Sequence, residues 1–209
     1  MDLHTATLIP ESELCRWAFT SYPTQEFLYR NLNLPSDSRI LFEVPLTDLG
    51  EEVSLEGDCD VLAVDPARPD LSIGFQCKRV KVKSTTFQTH RVGKLHELAR
   101  GAIQVGQLAK LGFHRIYFLV FMVVDGRQQH ELNFAARGAT APLVHQLDDT
   151  IAQIGVPESA GISRIELTQP IDEPLGKAGG IAFKRLRAAE PRNQAPELTR
   201  AILRVLDHY

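Results

Sequence analysis

The chain has 209 residues, 44% hydrophobic and 23% charged, with a formal net charge of −3. That is the balance of a globular protein with its own core, and it excludes a uniformly basic nucleic-acid coat. The longest apolar run, Ile116–Val124, is too short to span a bilayer, and MDLHTATLIPESE lacks the basic and apolar regions of a secretory leader. Three cysteines, Cys15, Cys59 and Cys77, have no metal-type spacing, and their odd count argues against a disulfide framework. These features point to a reduced, cytoplasmic compartment and no membrane association.

In chain order, Pro10–Ser21 reads as a helix with Pro in its first turn and Leu14, Trp17 and Ala18 on one face. Pro23 interrupts it and opens a second helix, Thr24–Leu32. Ile40–Leu46 reads as a strand whose one acid, Glu43, is costly in an apolar run unless exposed, paired or bound to a cation. Pro45 suits an edge or a bulge. Thr47–Glu56 is acidic and polar and reads as a loop.

Two strands follow, Asp60–Asp65 and Leu71–Val82, joined by a turn at Pro66–Asp70. Ser84–Arg91 is a polar loop in which Phe87, His90 and Arg91 offer stacking and phosphate contacts, or plain loop surface. Lys94–Leu111 is the clearest helix. Leu95, Leu98, Ala102, Val105 and Ala109 form its apolar stripe, and Arg100, Gln104 and Gln107 a polar one that reads first as solvent-exposed. Gly112 supplies its stop. His114–Asp125 fits a strand buried on both faces. Beyond it come a helix at Pro142–Ile154, a strand at Ile162–Thr168 suited to a sheet edge, a flexible Leu175–Gly180, a basic Ile181–Arg187 and a last amphipathic helix at Pro196–Leu206, whose apolar face closes the core or makes a homodimer.

Charge and parity single out Gly57–Lys83. Nine acids and only Arg68 as a base lie from Glu43 to Asp70, whereas six Lys/Arg and no acid lie from Lys78 to His96. Either an acidic metal pocket beside a basic phosphate strip or two solvated faces has this pattern. Side chains alternate across a strand, so Asp58 and Asp60 share one face, and Gln76 and Lys78 share one, with Cys59 and Cys77 packing inward. Paired strands would present Asp, Gln and Lys together.

Asp60 followed after a turn by Gln76-Cys77-Lys78 resembles the signature of the PD-(D/E)xK nuclease superfamily, in which an Asp on one strand precedes Glu-x-Lys on the next. Here Gln stands where the family usually has Glu, a variant with precedent among its members. The order helix, three strands, helix, strand matches the family's αβββαβ core. The resemblance implies an α/β, restriction-endonuclease-like fold: a mixed central sheet flanked by helices, one domain over residues 1–209, with a core at about 10–126 and a C-terminal α/β extension over about 127–209.

The resemblance also implies Mg²⁺- or Mn²⁺-dependent hydrolysis of phosphodiester bonds, most naturally in DNA, leaving a 5′-phosphate and a 3′-hydroxyl. Asp60, the Gln76 amide oxygen and the Cys77 carbonyl would hold the metal, and Lys78 would orient or deprotonate water and stabilise charge on phosphorus. Glu43 or Asp58 could join from the strands. The helix before the sheet often contributes a Glu in this family. Glu26 is the candidate, Glu11 and Glu13 are its rivals, and Glu26 also suits the positive end of a helix. Arg79, Lys81, Lys83, Arg91, Arg100 and Gln104 are candidates for nucleic-acid contact. The Gln-for-Glu exchange keeps open a catalytically weak or inactive module that binds nucleic acid or a protein partner.

Overall fold

A computed structural model describes residues 10–50, 56–82, 95–125, 141–169 and 180–208. Two helices come first, α1 (Glu11–Thr20) and α2 (Thr24–Leu32). Strand β1 (Arg39–Pro45) leads into a four-residue helix α3 (Leu46–Leu49), then β2 (Asp58–Val64), a 3-10 turn at Pro69–Leu71 and β3 (Ile73–Val82). Helix α4 (Leu95–Leu111), β4 (Arg115–Asp125), α5 (Ala141–Gln153), β5 (Gly161–Gln169), β6 (Gly180–Arg187) and α6 (Pro196–His208) complete it.

The six strands form one sheet in sequential order. β3, β4 and β5 run parallel at its centre, and β1, β2 and β6 are antiparallel to their neighbours. The parallel centre follows from α4 and α5, since a parallel return needs a crossover long enough to lie on a face. β4 is the spine, with every residue from Ile116 to Met122 buried, as its unbroken apolar run requires.

Each face carries its own core. One holds Leu14, Ala18 and Phe19 of α1 and Leu28 and Leu32 of α2 against Val61, Phe75 and Phe121. There Phe75 stacks on Tyr117 with ring centroids 5.4 Å apart and meets the Phe19 edge at 5.3 Å. The opposite core joins Leu46 and Leu49 of α3, Leu98, Val105 and Leu108 of α4, Leu147 of α5 and Ile202 of α6 to Leu62, Phe118 and Val120. The chain is therefore an α/β sandwich of helices around a mixed sheet.

Three expectations need correction. Thr47–Leu49 is helical rather than loop, and Leu46 begins that helix rather than ending the strand, because Pro45 precedes its first turn and both leucines reach the core. β5 is interior, because β6 pairs beyond it and forms the edge. Cys59 and Cys77 do not pack on one side: Cys59 joins the α4 core and Cys77 the α1 core. The alternation breaks around Glu43, which has a left-handed φ of 53°. Phe42 and Val44, two residues apart, consequently contact opposite cores. Lys83, Phe87, His90, Arg91 and residues 175–179 lie outside the described residues.

Candidate active site

The site lies where β2 and β3 part. Their pairing covers Val61↔Phe75, Leu62↔Gly74 and Ala63↔Ile73. Continuing that register would set Asp60 opposite Gln76, but the next bonds are made by side chains. Asp60 Oδ2 accepts the Cys77 backbone N–H at 2.6 Å, and Glu11 Oε2 accepts the Arg79 N–H at 2.7 Å. Two carboxylates thus replace the carbonyls a longer β2 would have supplied. This satisfies amides that would be costly to leave unpaired in the interior.

The same carboxylates organise the side chains. Gln76 Nε2 donates to Asp60 Oδ2, and Lys78 Nζ lies 2.9 Å from Glu11 Oε1. Gln76 is fully buried, and its Oε1 has no protein partner among the described residues. Glu43 stands across from Asp60, because Phe42 pairs with Val61 and Val44 with Cys59. Glu11, Glu43 and Asp60 line one cavity of about 210 Å³ together with Ser12, Cys15 and Phe42.

Burial pushes the Asp60 carboxyl up to about 6, with Glu11 and Asp58 adding to it and Lys78 and the Cys77 N–H holding it back. For Lys78, burial pulls downward, but Asp60 and Glu11 outweigh it and leave the ammonium above its ordinary value. Lys78 is therefore a cation in this arrangement, suited to holding negative charge rather than taking a proton. Room for it comes from α4, where a Cβ on Gly101 would stand 2.7 Å from Lys78 Cγ and 2.7 Å from the Phe118 ring.

Asp60, Gln76 and Lys78 therefore share one locality, but not as the sequence implies. Gln76 and Asp60 bond directly, so the amide presents its N–H to the carboxylate rather than both offering oxygen to one point. Glu11, a rival to Glu26, is the helix acid in the site. Glu26 is half-exposed and pairs with Arg30 at 3.1 Å on its own helix, where Arg sits four residues on. Glu13 is exposed. Nothing in the sequence separates Glu11 from Glu13 and Glu26, since which helix end meets the β2–β3 gap is a tertiary fact.

Of the nucleic-acid candidates, Arg79 is half-buried and Arg100 exposed, and Lys81 takes its place in β3. Arg79 stays below its ordinary value because burial outweighs the pull of Glu11 and Glu97. Gln104 does not stand on a fully solvated stripe. It is half-buried against Gly57, whose φ of 95° and missing Cβ let the amide approach. The Oε1 atoms of Gln104 and Gln107 are buried without a partner among the described residues.

The donors fit a hard cation in chemistry: three carboxylates line the cavity, and an unpartnered amide oxygen belongs to Gln76 beside Asp60. They are not gathered as a finished cage. Among the described residues, no group of three His, Cys, Asp or Glu side chains is close enough to hold a metal ion. No described helix is long and apolar enough to cross a membrane. Set against protein-family models, curated proteins and solved structures, the chain matches none.

Proposed function

We propose that the protein is a divalent-metal-dependent nuclease of the restriction-endonuclease-like fold, cutting phosphodiester bonds through Asp60, Gln76 and Lys78. The observation that carries this reading is the meeting of Asp60, Gln76, Lys78 and Glu11 at the parting of β2 and β3. With the four-residue α3 between β1 and β2 set aside, the order α1, α2, β1, β2, β3, α4, β4, with β3 and β4 parallel, agrees with the αβββαβ core of that superfamily.

A phosphodiester resists attack because its oxygens are negative and its leaving group is poor. Mg²⁺ or Mn²⁺ held by Asp60 and the Gln76 amide oxygen would supply positive charge and a polarised water. Gln76 must turn its amide so that Oε1 replaces Nε2 toward Asp60. Lys78 holds the charge building on the phosphoryl oxygens, a role its retained proton suits. Glu11 fixes Lys78 through the 2.9 Å pair and ties α1 to β3 through the Arg79 amide. Glu43 lines the same cavity and would join from β1 by holding a water of the bound metal.

Asp60→Ala and Lys78→Ala should each abolish Mg²⁺-dependent cleavage of single- or double-stranded DNA or RNA while leaving the circular dichroism spectrum native. Cutting that survives in both variants rejects the assignment. A second reading, a nucleic-acid-binding module without catalysis, rests on the direct Gln76–Asp60 bond. It predicts salt-sensitive binding with no cut product in either Mg²⁺ or Mn²⁺.

A further inference from the structure

A groove of about 970 Å³ lies between the C-terminal end of α4, the short α3 and the outer side of α6, away from the Asp60 site. Its apolar lining comes from Leu49, Leu111, Leu198 and Leu203, and Leu203 is 45% exposed on a helix whose other leucines are buried or half-buried. Lys110, Arg200 and Arg204 stand along it and are exposed. Among the described residues Glu197 is the one acid lining it, and its pair with Arg200 is solvent-exposed on both sides and holds little. A cationic rim on a chain of net charge −3 is a local feature. Some basic side chains elsewhere are engaged within the fold, as Lys184 is with Asp148 and Arg187 with the carbonyls of Val156, Pro157 and Ala160.

We propose that this groove receives an acidic amphipathic helix from a partner protein, its apolar stripe on the leucines and its carboxylates on Lys110, Arg200 and Arg204. The apolar lining speaks against a nucleic-acid backbone, which needs polar contacts throughout, and no aromatic ring among the described residues lines it for a base to stack on. A second copy docking through its α1, α4 or α5 is disfavoured. The acids of α1 and α5 stand on helices whose apolar faces already pack in the cores. The outer face of α4, with Ile103 68% exposed, is flanked by Arg100 and Lys110 and so repeats the groove's own sign. From Glu197 to Arg204 the helix rises roughly 10 Å, about two turns, which matches anchors at i, i+3, i+4 and i+7.

The probe is a labelled synthetic helix of about 15 residues with Leu at those anchors and Glu on the flanks, beside a twin carrying Lys for Glu. Fluorescence anisotropy with full-length protein, without metal or nucleic acid, should show the acidic peptide binding at least tenfold tighter, roughly 1.4 kcal/mol. Leu203→Asp should remove that binding, and Arg204→Glu, which keeps the apolar lining but leaves two bases against two acids along the groove, should erase the wild type's preference between the peptides. Equal binding of the twins by the wild type, or unchanged binding by both variants, overturns the proposal. So does displacement by a short DNA oligonucleotide, or a wild-type dimer on size-exclusion chromatography that Leu203→Asp dissociates. The variants lie outside the Asp60 site and the assay reads no cleavage, so this proposal and the nuclease reading fail separately.

Discussion

Asp60→Asn isolates the cost of an ionised carboxylate in the β2–β3 gap. The Asp60 carboxyl is raised from 3.8 to about 6, chiefly by burial. The folded chain therefore holds this proton more tightly than the unfolded chain, and stability falls as pH rises from about 4 to about 6, then levels. A shift of roughly two units corresponds to about 3 kcal/mol of stability lost across that window. Urea unfolding of wild type and variant at half-unit pH steps measures the difference between the curves, which cancels the other titrating groups. The Asn variant should lack the fall, because Asn can still accept the Cys77 N–H but never ionises. Above pH 7, millimolar Mg²⁺ should restore stability to the wild type alone, since a ligand that binds only the native state stabilises it. Parallel curves refute the placement of a buried, ionising Asp60, and equal Mg²⁺ stabilisation of both proteins refutes Asp60 as a metal ligand.

Gln76→Glu should reduce metal-free stability at pH 8 by about 1–3 kcal/mol, through a second carboxylate beside Asp60, and lower the Mg²⁺ needed for half-maximal cleavage about tenfold; unfolding and metal titration measure the two. Glu11→Ala should cost about 1–3 kcal/mol in urea unfolding, because it strands the Arg79 amide and leaves Lys78 without its carboxylate, and cleavage should fall with it. Phe75→Ala, which removes the ring between Phe19 and Tyr117, should cost about 3–5 kcal/mol, read as a shift in the urea midpoint.

The fold was legible where periodicity is strong. The Leu98–Ala102–Val105 stripe places α4 on a sheet, and the unbroken apolar run of β4 marks a central strand. β6 was missed although its signal is present: Ile181 and Phe183 alternate toward the α1 core, but Lys184, Arg185 and Arg187 read as a basic patch. Missing β6 turned interior β5 into a presumed edge. In the site, spacing was enough to bring Asp60, Gln76 and Lys78 to one place. It could not show that Gln76 bonds Asp60, that Glu11 reaches Lys78 from a helix 67 residues away, or that Glu43 adopts a positive φ. Each depends on how α1 and β1 pack against the gap between β2 and β3, and a glutamate carries no local signature of left-handed backbone.

The carboxylates that accept from the β3 amides have a spectroscopic consequence. Ordinary strand amides bond to peptide oxygens, which carry no titratable proton. Those of Cys77 and Arg79 bond to Asp60 and Glu11. Their proton resonances and exchange lifetimes should move as a cation draws on the same oxygens, and those of the Cys77 amide also as Asp60 gains or loses charge. The backbone itself thus offers two built-in indicators through which the chemistry of this gap can be watched without a substrate.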